Sequence, residues 1–148
     1  MTIRLDPASA EDLPLARSLA RRGMLPYYMT YELIWQDQAF DETWLWREQW
    51  IVRRGDEWLG FLSLSADRRA LYIRELHLIE AARGQGVGAR VLDHVLDIAR
   101  ERRLPLVRLT VFKSNRAQRL YQRQGFVQVG EDECFLRMEQ RVRDGVPG

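Results

Sequence analysis

The run Leu76-His77-Leu78-Ile79-Glu80-Ala81-Ala82-Arg83-Gly84-Gln85-Gly86-Val87-Gly88-Ala89 restricts the fold more than any other part of this chain. A strand-like stretch enters a glycine-rich turn. A helical pattern opens directly from it, Gly88 to Arg102, with Val91, Leu92, Val95, Leu96 and Ala99 recurring at helical spacing over about four turns. Glycines let a backbone come close to a ligand, and the first N–H groups of a helix have no partner within it. Together these make a site for an anion such as a pyrophosphate. Glycine turns also precede helices for structural reasons alone, so the turn by itself leaves both readings open.

Two familiar glycine patterns can be tested here. A P-loop ends in Gly-Lys-Ser/Thr, and no such run occurs. Gly84, Gly86 and Ala89 satisfy a permissive dinucleotide pattern, which needs an acidic residue about 20 positions later for the ribose. No Asp or Glu lies between Arg102 and Gly130. The strands before the turn also read as a meander and not as repeated strand-helix-strand units, and the dinucleotide reading is rejected.

The remaining elements follow from periodicity and turn chemistry. Thr2 to Leu5 predicts a short strand. Ser9 with Asp12 offers an N-cap, and Leu13, Ala16, Leu19 and Ala20 predict a helix over 10–22 that Gly23 ends. Pro26 to Trp35 is aromatic-rich, helical or irregular, and Phe40-Asp41 is expected to open a short helix carrying Trp44 and Leu45. Trp50 to Arg53, Glu57 to Ser65 and Leu71 to Ile79 form three strands joined by short turns. Leu106 to Phe112 is a buried strand. Ser114 or Asn115 caps a short helix that runs to Gln124 and stops at Gly125. Phe126 to Val129 and Cys134 to Met138 are the last strands. The expected fold is α/β, a mixed, mostly antiparallel central sheet flanked by helices. It forms one domain over 1–140 with a flexible tail over 141–148.

Composition narrows the function. A net charge of +2 gives little general attraction to nucleic acid. The seven basic residues between Arg102 and Gly130, with no acid among them, suit either a solvated face or a phosphate-rich ligand. No apolar run approaches the roughly 20 residues of a membrane span. A single cysteine, Cys134, excludes an internal disulfide framework, and the N-terminus lacks the features of a signal peptide. The expected location is the cytoplasm, with no nucleic-acid or membrane partner. No His/Cys/Asp cluster has metal-ligand spacing, so no metal is expected.

A second motif gives the glycine turn its context: Asn115-Arg116-Ala117-Gln118-Arg119-Leu120-Tyr121-Gln122-Arg123-Gln124-Gly125-Phe126. Together the two segments resemble the GNAT superfamily of N-acetyltransferases. Arg83, Gly86 and Gly88 match its cofactor motif Q/R-x-x-G-x-G/A. Asn115, Ala117, Leu120, Tyr121, Gly125 and Phe126 match its later motif, with an Asn-to-Ala spacing one residue shorter than in many members. The resemblance, from about Thr2 to Met138, implies acetyl-CoA as donor. The backbone of His77, Leu78 and Ile79 would pair with its pantetheine arm. Arg83, Gly84, Gln85, Gly86, Val87, Gly88 and Ala89 would hold its pyrophosphate, with Asn115 and Tyr121 also at the cofactor. It further implies Tyr121 as the acid that protonates the leaving thiolate, a Leu78 N–H for the oxyanion, and a homodimer as one assembly.

Aminolysis of a thioester also needs a base. Along Leu71 to Ile79 side chains alternate, so Glu75 and His77 share a face, and Glu75 is the expected base, directly or through water. Pairing with Arg74 or Arg108 is its structural alternative, and His77 is expected to be structural. Glu32, Asp37 and Asp41, among the aromatics Tyr27, Tyr28, Tyr31 and Trp35, would suit a cationic acceptor; core packing accounts for the same aromatics. The implied acceptor is a small-molecule or peptide amine. The alternative from another class is a catalytically silent acyl-CoA-binding or interaction module.

Overall fold

A computed structural model describes residues 2–143. Among them, seven strands and four α-helices follow in the order β1 (Ile3–Pro7), α1 (Leu13–Thr30), α2 (Asp37–Trp46), β2 (Glu48–Arg54), β3 (Glu57–Ala66), β4 (Ala70–Leu78), α3 (Val87–Glu101), β5 (Leu106–Phe112), α4 (Ala117–Arg123), β6 (Val127–Glu131) and β7 (Phe135–Arg141). The strands hydrogen-bond in the order β1-β2-β3-β4-β5-β7-β6, a mixed sheet as the sequence predicts. The chain forms two units, 1–64 with 74–87, and 65–73 with 88–148.

In the first unit β1, β2 and β3 are antiparallel, with Ile3 opposite Arg54 and Glu48 opposite Leu64. The β2–β3 register shifts after Val52, which faces Gly60, while Arg53 faces Trp58. Near this irregularity the Ile79 N–H donates to the Leu59 carbonyl at 2.8 Å. A Cβ on Gly60 would overlap the His77 carbonyl oxygen and lie 2.9 Å from Leu78 Cα, so only glycine lets the end of β4 lie this close to β3. The core joins Ala16, Leu19 and Ala20 of α1 to Phe40 and Trp44 of α2 and to Ile51 and Phe61 of the sheet. The three α1 positions, at i, i+3 and i+4, form the apolar stripe the sequence shows.

Two helix boundaries differ from expectation. Gly23 does not end α1, which continues through Gly23 and Pro26 to Thr30. Gly23 instead leaves room for a side chain from the sheet: a Cβ there would sit 3.3 Å from His77 Nδ1. Tertiary packing thus overrides the local stop signal. The second helix opens at Asp37 and not at Phe40-Asp41. Phe40 lies inside it as a buried core residue, and Asp41 pairs with Arg17 at 2.7 and 2.9 Å.

In the second unit β4 runs parallel to β5 from Ala70↔Leu106 to Ile73↔Leu109. β5 and β7 are antiparallel over Leu106↔Arg141 to Phe112↔Phe135, and β6 pairs with β7. Val91, Leu92, Val95 and Ala99 of α3 are all buried. Alternating burial of Val107, Leu109 and Val111 on β5 answers Leu136 and Met138 on β7. Arg141, expected in a tail, is the last residue of β7; the Val142 N–H donates to the Pro105 carbonyl at 2.8 Å. Residues 144–148 of the expected tail lie outside the described residues.

Candidate active site

The last residues of β4, from Arg74, belong to the first unit and carry the two polar side chains that strand alternation puts on one face. His77 Nε2 is hydrogen-bonded to Glu75 Oε2. The imidazole is packed from several directions. Its ring stacks on Phe61 at 5.4 Å and 30°, Gly23 of α1 lies against Nδ1, and only 9% of the side chain is exposed. Glu75 is therefore held by an immobilised histidine. Of the two arginines the sequence suggests as its partners, Arg108 is engaged elsewhere. Arg108, in the second unit, pairs with Glu139 at 3.1 Å and donates to the Tyr72 hydroxyl at 3.3 Å.

Glu75 opens into a cleft of about 250 Å³ that Tyr28, Trp35, Phe40, Thr43 and Arg47 also line. Tyr28 and Trp35 meet edge to face at 5.4 Å, and Trp35 continues to Phe40 at 5.9 Å. The Trp35 Nε1–H donates to Asp37 at 2.7 Å, which fixes the indole at the start of α2. Burial, helped by the Glu75 charge, raises the Tyr28 phenol above its ordinary pKa. Burial lowers Arg47, with the Glu75 charge opposing and Arg74 adding to the shift. The aromatic segment is thus partly core, as with Trp44, and partly wall, as with Tyr28 and Trp35.

The acidic residues expected to face a cation are placed otherwise. Asp41 is paired with Arg17 and Asp37 with Arg21 at 2.9 Å. Glu32 is an exposed residue at φ 56° and is not part of the lining. The carboxylate in the cleft is Glu75.

Beyond β4 a 3-10 turn, Glu80–Ala82, leads into the glycine segment. Gln85 ties this segment down. Its Nε2 donates to the Ala81 carbonyl at 2.7 Å, and its Oε1 accepts from Arg54 Nη1 at 2.8 Å. Gly84 and Gly86 have φ of 73° and 78°, and a Cβ on either would meet nothing within 4 Å. Their glycine identity is therefore set by backbone conformation, and the face they present is open, as a cradle for an anion must be. The residues present fit a pyrophosphate: Val87, Gly88 and Ala89 follow as the first turn of α3, whose N–H groups lack intrahelical partners. Two backbone donors are already engaged. Arg83 N–H bonds to the Glu80 carbonyl at 3.1 Å, and Ile79 N–H to Leu59. The N–H groups of Ile79 and Arg83 are thus turned towards the protein, and the Leu78 carbonyl accepts from Arg83 Nη2 at 3.3 Å.

In the second unit the Ala89 carbonyl accepts from Gln124 Nε2 at 3.2 Å, which anchors the start of α3 to the end of α4. Asn115 Oδ1 accepts from the Ala117 N–H at 2.8 Å and so serves the start of α4. Tyr121 lies on α4, 8% exposed, with its ring 5.9 Å from Phe126 at 69°. Among the described residues no group of three or more His, Cys, Asp or Glu is gathered for a metal ion, and no helix is long and apolar enough to cross a membrane. Sequence reasoning missed Arg47, whose isolated position in the chain carries no signal. It also missed Phe61, which reads only as a strand residue.

The model of the Acetyltransferase (GNAT) family matches residues 21–126, and the chain belongs to that family. It is similar to N-alpha-acetyltransferase 40 of Saccharomyces cerevisiae, 44% identical over 64 residues that cover 38% of this chain and 22% of that protein. The chain therefore matches about a fifth of the length of this curated relative. Among solved structures it resembles Ard1 from Thermoplasma volcanium, with a TM-score of 0.77 at 22% identity, covering 97% of this chain and 100% of that one. A GNAT family acetyltransferase from Elizabethkingia anophelis, solved with acetyl-CoA bound, gives a TM-score of 0.74 at 18% identity, covering 94% and 97%. These likenesses show the fold.

Proposed function

We propose that this protein is an acetyl-CoA-dependent N-acetyltransferase that acetylates a primary amine by direct attack in a ternary complex. The observation that carries this reading is a carboxylate, Glu75, fixed by His77 in an aromatic cleft on the strand that leads into an open glycine cradle. Acetyl-CoA supplies an activated acetyl thioester. The amides of Gly84 to Ala89 hold its pyrophosphate, and the backbone of His77 and Leu78 takes its pantetheine arm. Glu75 accepts the proton the amine must lose as the new C–N bond forms, directly or through water. The Leu78 N–H faces the developing oxyanion. As the C–S bond breaks, Tyr121, the tyrosine of the family motif, donates its phenolic proton to the sulfur. Asn115 contributes by shaping the start of the helix that carries Tyr121.

The acid assignment makes a clear prediction. Tyr121→Phe keeps the packing against Phe126 and removes only the hydroxyl, so kcat is expected to fall roughly 10²-fold while acetyl-CoA affinity changes little. Thiol release gives kcat and calorimetry gives the affinity. Wild-type turnover in the variant would remove Tyr121 from the mechanism. Acetyl-CoA binding with no thiol release for any amine would leave a silent acyl-CoA-binding module.

A further inference from the structure

Arg47 is the cleft residue whose guanidinium makes no hydrogen bond or ion pair among the described residues, although the Glu75 charge acts on it. It follows α2 in extended conformation, φ −107° and ψ 158°, and its side chain is half-buried where Tyr28, Trp35, Phe40 and Glu75 line the cleft. Among the described residues none lies within hydrogen-bond or ion-pair distance of its guanidinium. Glu75 is engaged with His77, and of the acids on the preceding helix Asp41 pairs with Arg17 and Asp37 with Arg21. A partly desolvated guanidinium without an acceptor is unfavourable, and its planar fork of donors matches a carboxylate.

We propose that Arg47 recognises a carboxylate on the acceptor, so that the substrate is an amine that also carries a carboxylate and rests its apolar part on Tyr28, Trp35 and Phe40. This inference rests on reading the cleft as the acceptor site. The two charged groups divide the recognition: Glu75 takes the amine end, Arg47 the acid end. A polyamine would instead bring a second cation towards Arg47 and is disfavoured. The same chemistry is offered by the α-carboxylate of a free amino acid and by the side-chain carboxylate of an acidic N-terminal residue.

Four acceptors separate these sources: phenylalanine against phenylalaninamide, and aspartyl-phenylalaninamide against asparaginyl-phenylalaninamide. Each is assayed by thiol release with wild type, Arg47→Gln and Arg47→Lys. The wild type is expected to favour the carboxylate member of at least one pair by about tenfold in kcat/KM, and that pair identifies the source. Arg47→Gln is expected to bring the ratio close to one, with Arg47→Lys in between. A wild-type ratio near one in both pairs, or a preference that survives Arg47→Gln, would overturn the proposal. If no acceptor releases thiol, calorimetric titration of the same four compounds in the presence of CoA decides. Carboxylate-dependent binding that Arg47→Gln abolishes keeps the subsite while the transfer reading fails. Binding indifferent to the carboxylate or to Arg47 removes the subsite as well.

Discussion

Glu75→Gln is expected to lower kcat/KM by about 10²-fold or more at neutral pH and to leave acetyl-CoA binding at its wild-type strength. Glutamine keeps the length of the side chain and its capacity to hydrogen-bond His77, so the packing around Phe61 and Gly23 is retained. What it cannot do is accept a proton from the attacking amine. The substitution also has an optical consequence. The Glu75 charge raises the Tyr28 phenol, as the lesser cause after burial. In the variant Tyr28 should therefore ionise at lower pH than in wild type while staying above an ordinary tyrosine, and ultraviolet titration reads this as the component that Tyr28→Phe removes from the signal of the five tyrosines. A variant that turns over at the wild-type rate would show that Glu75 is not the base. Slow turnover with an unmoved Tyr28 would show that the carboxylate does not face the cleft.

Gly86→Val is the second large effect, and it acts on the donor. At φ 78° a β-branched residue is strongly disfavoured, with a strain of roughly 1–3 kcal/mol. The new side chain would meet no protein atom within 4 Å of its Cβ, so the strain is confined to the turn and the core is untouched. The turn relieves that strain by rotating the peptides that present their N–H groups to the pyrophosphate. Acetyl-CoA affinity is therefore expected to fall by about tenfold or more, while the variant keeps a cooperative thermal transition. Unchanged affinity by calorimetry would mean that the glycine turn is structural only. The distinction matters because such turns also occur where nothing is bound.

The parts of this molecule that were legible in its sequence are those where local pattern and tertiary environment agree. In α3, four of the five predicted apolar positions, Val91, Leu92, Val95 and Ala99, are fully buried, because a regular helix presents one stripe to a core. The glycine turn was legible because Gly84 and Gly86 adopt backbone conformations that other residues rarely do. The shared face of Glu75 and His77 followed from the two-residue period of a strand. Where the reading failed, a distant segment decided. Gly23 looked like a helix stop because its role lies in a contact with His77, 54 positions away in the chain. Asp37, and not Asp41, opens α2, since Asp41 is drawn to Arg17 of another helix. The partner of Glu75 could not be chosen among nearby cations and His77 without the packing of Phe61. Arg47 had no signal at all, because its meaning comes from the acids that other arginines have taken.

The central claim, that the glycine cradle serves acetyl-CoA, is tested most directly by thermal denaturation of the protein titrated in parallel with acetyl-CoA, CoA and NADPH. A ligand bound only by the folded state stabilises it by about 2.7 kcal/mol at a hundredfold excess over its Kd, a shift of roughly 5–10 °C for a chain of this size. The account predicts such a shift with acetyl-CoA and none with NADPH. An unmoved transition in acetyl-CoA, or stabilisation by NADPH alone, would contradict it.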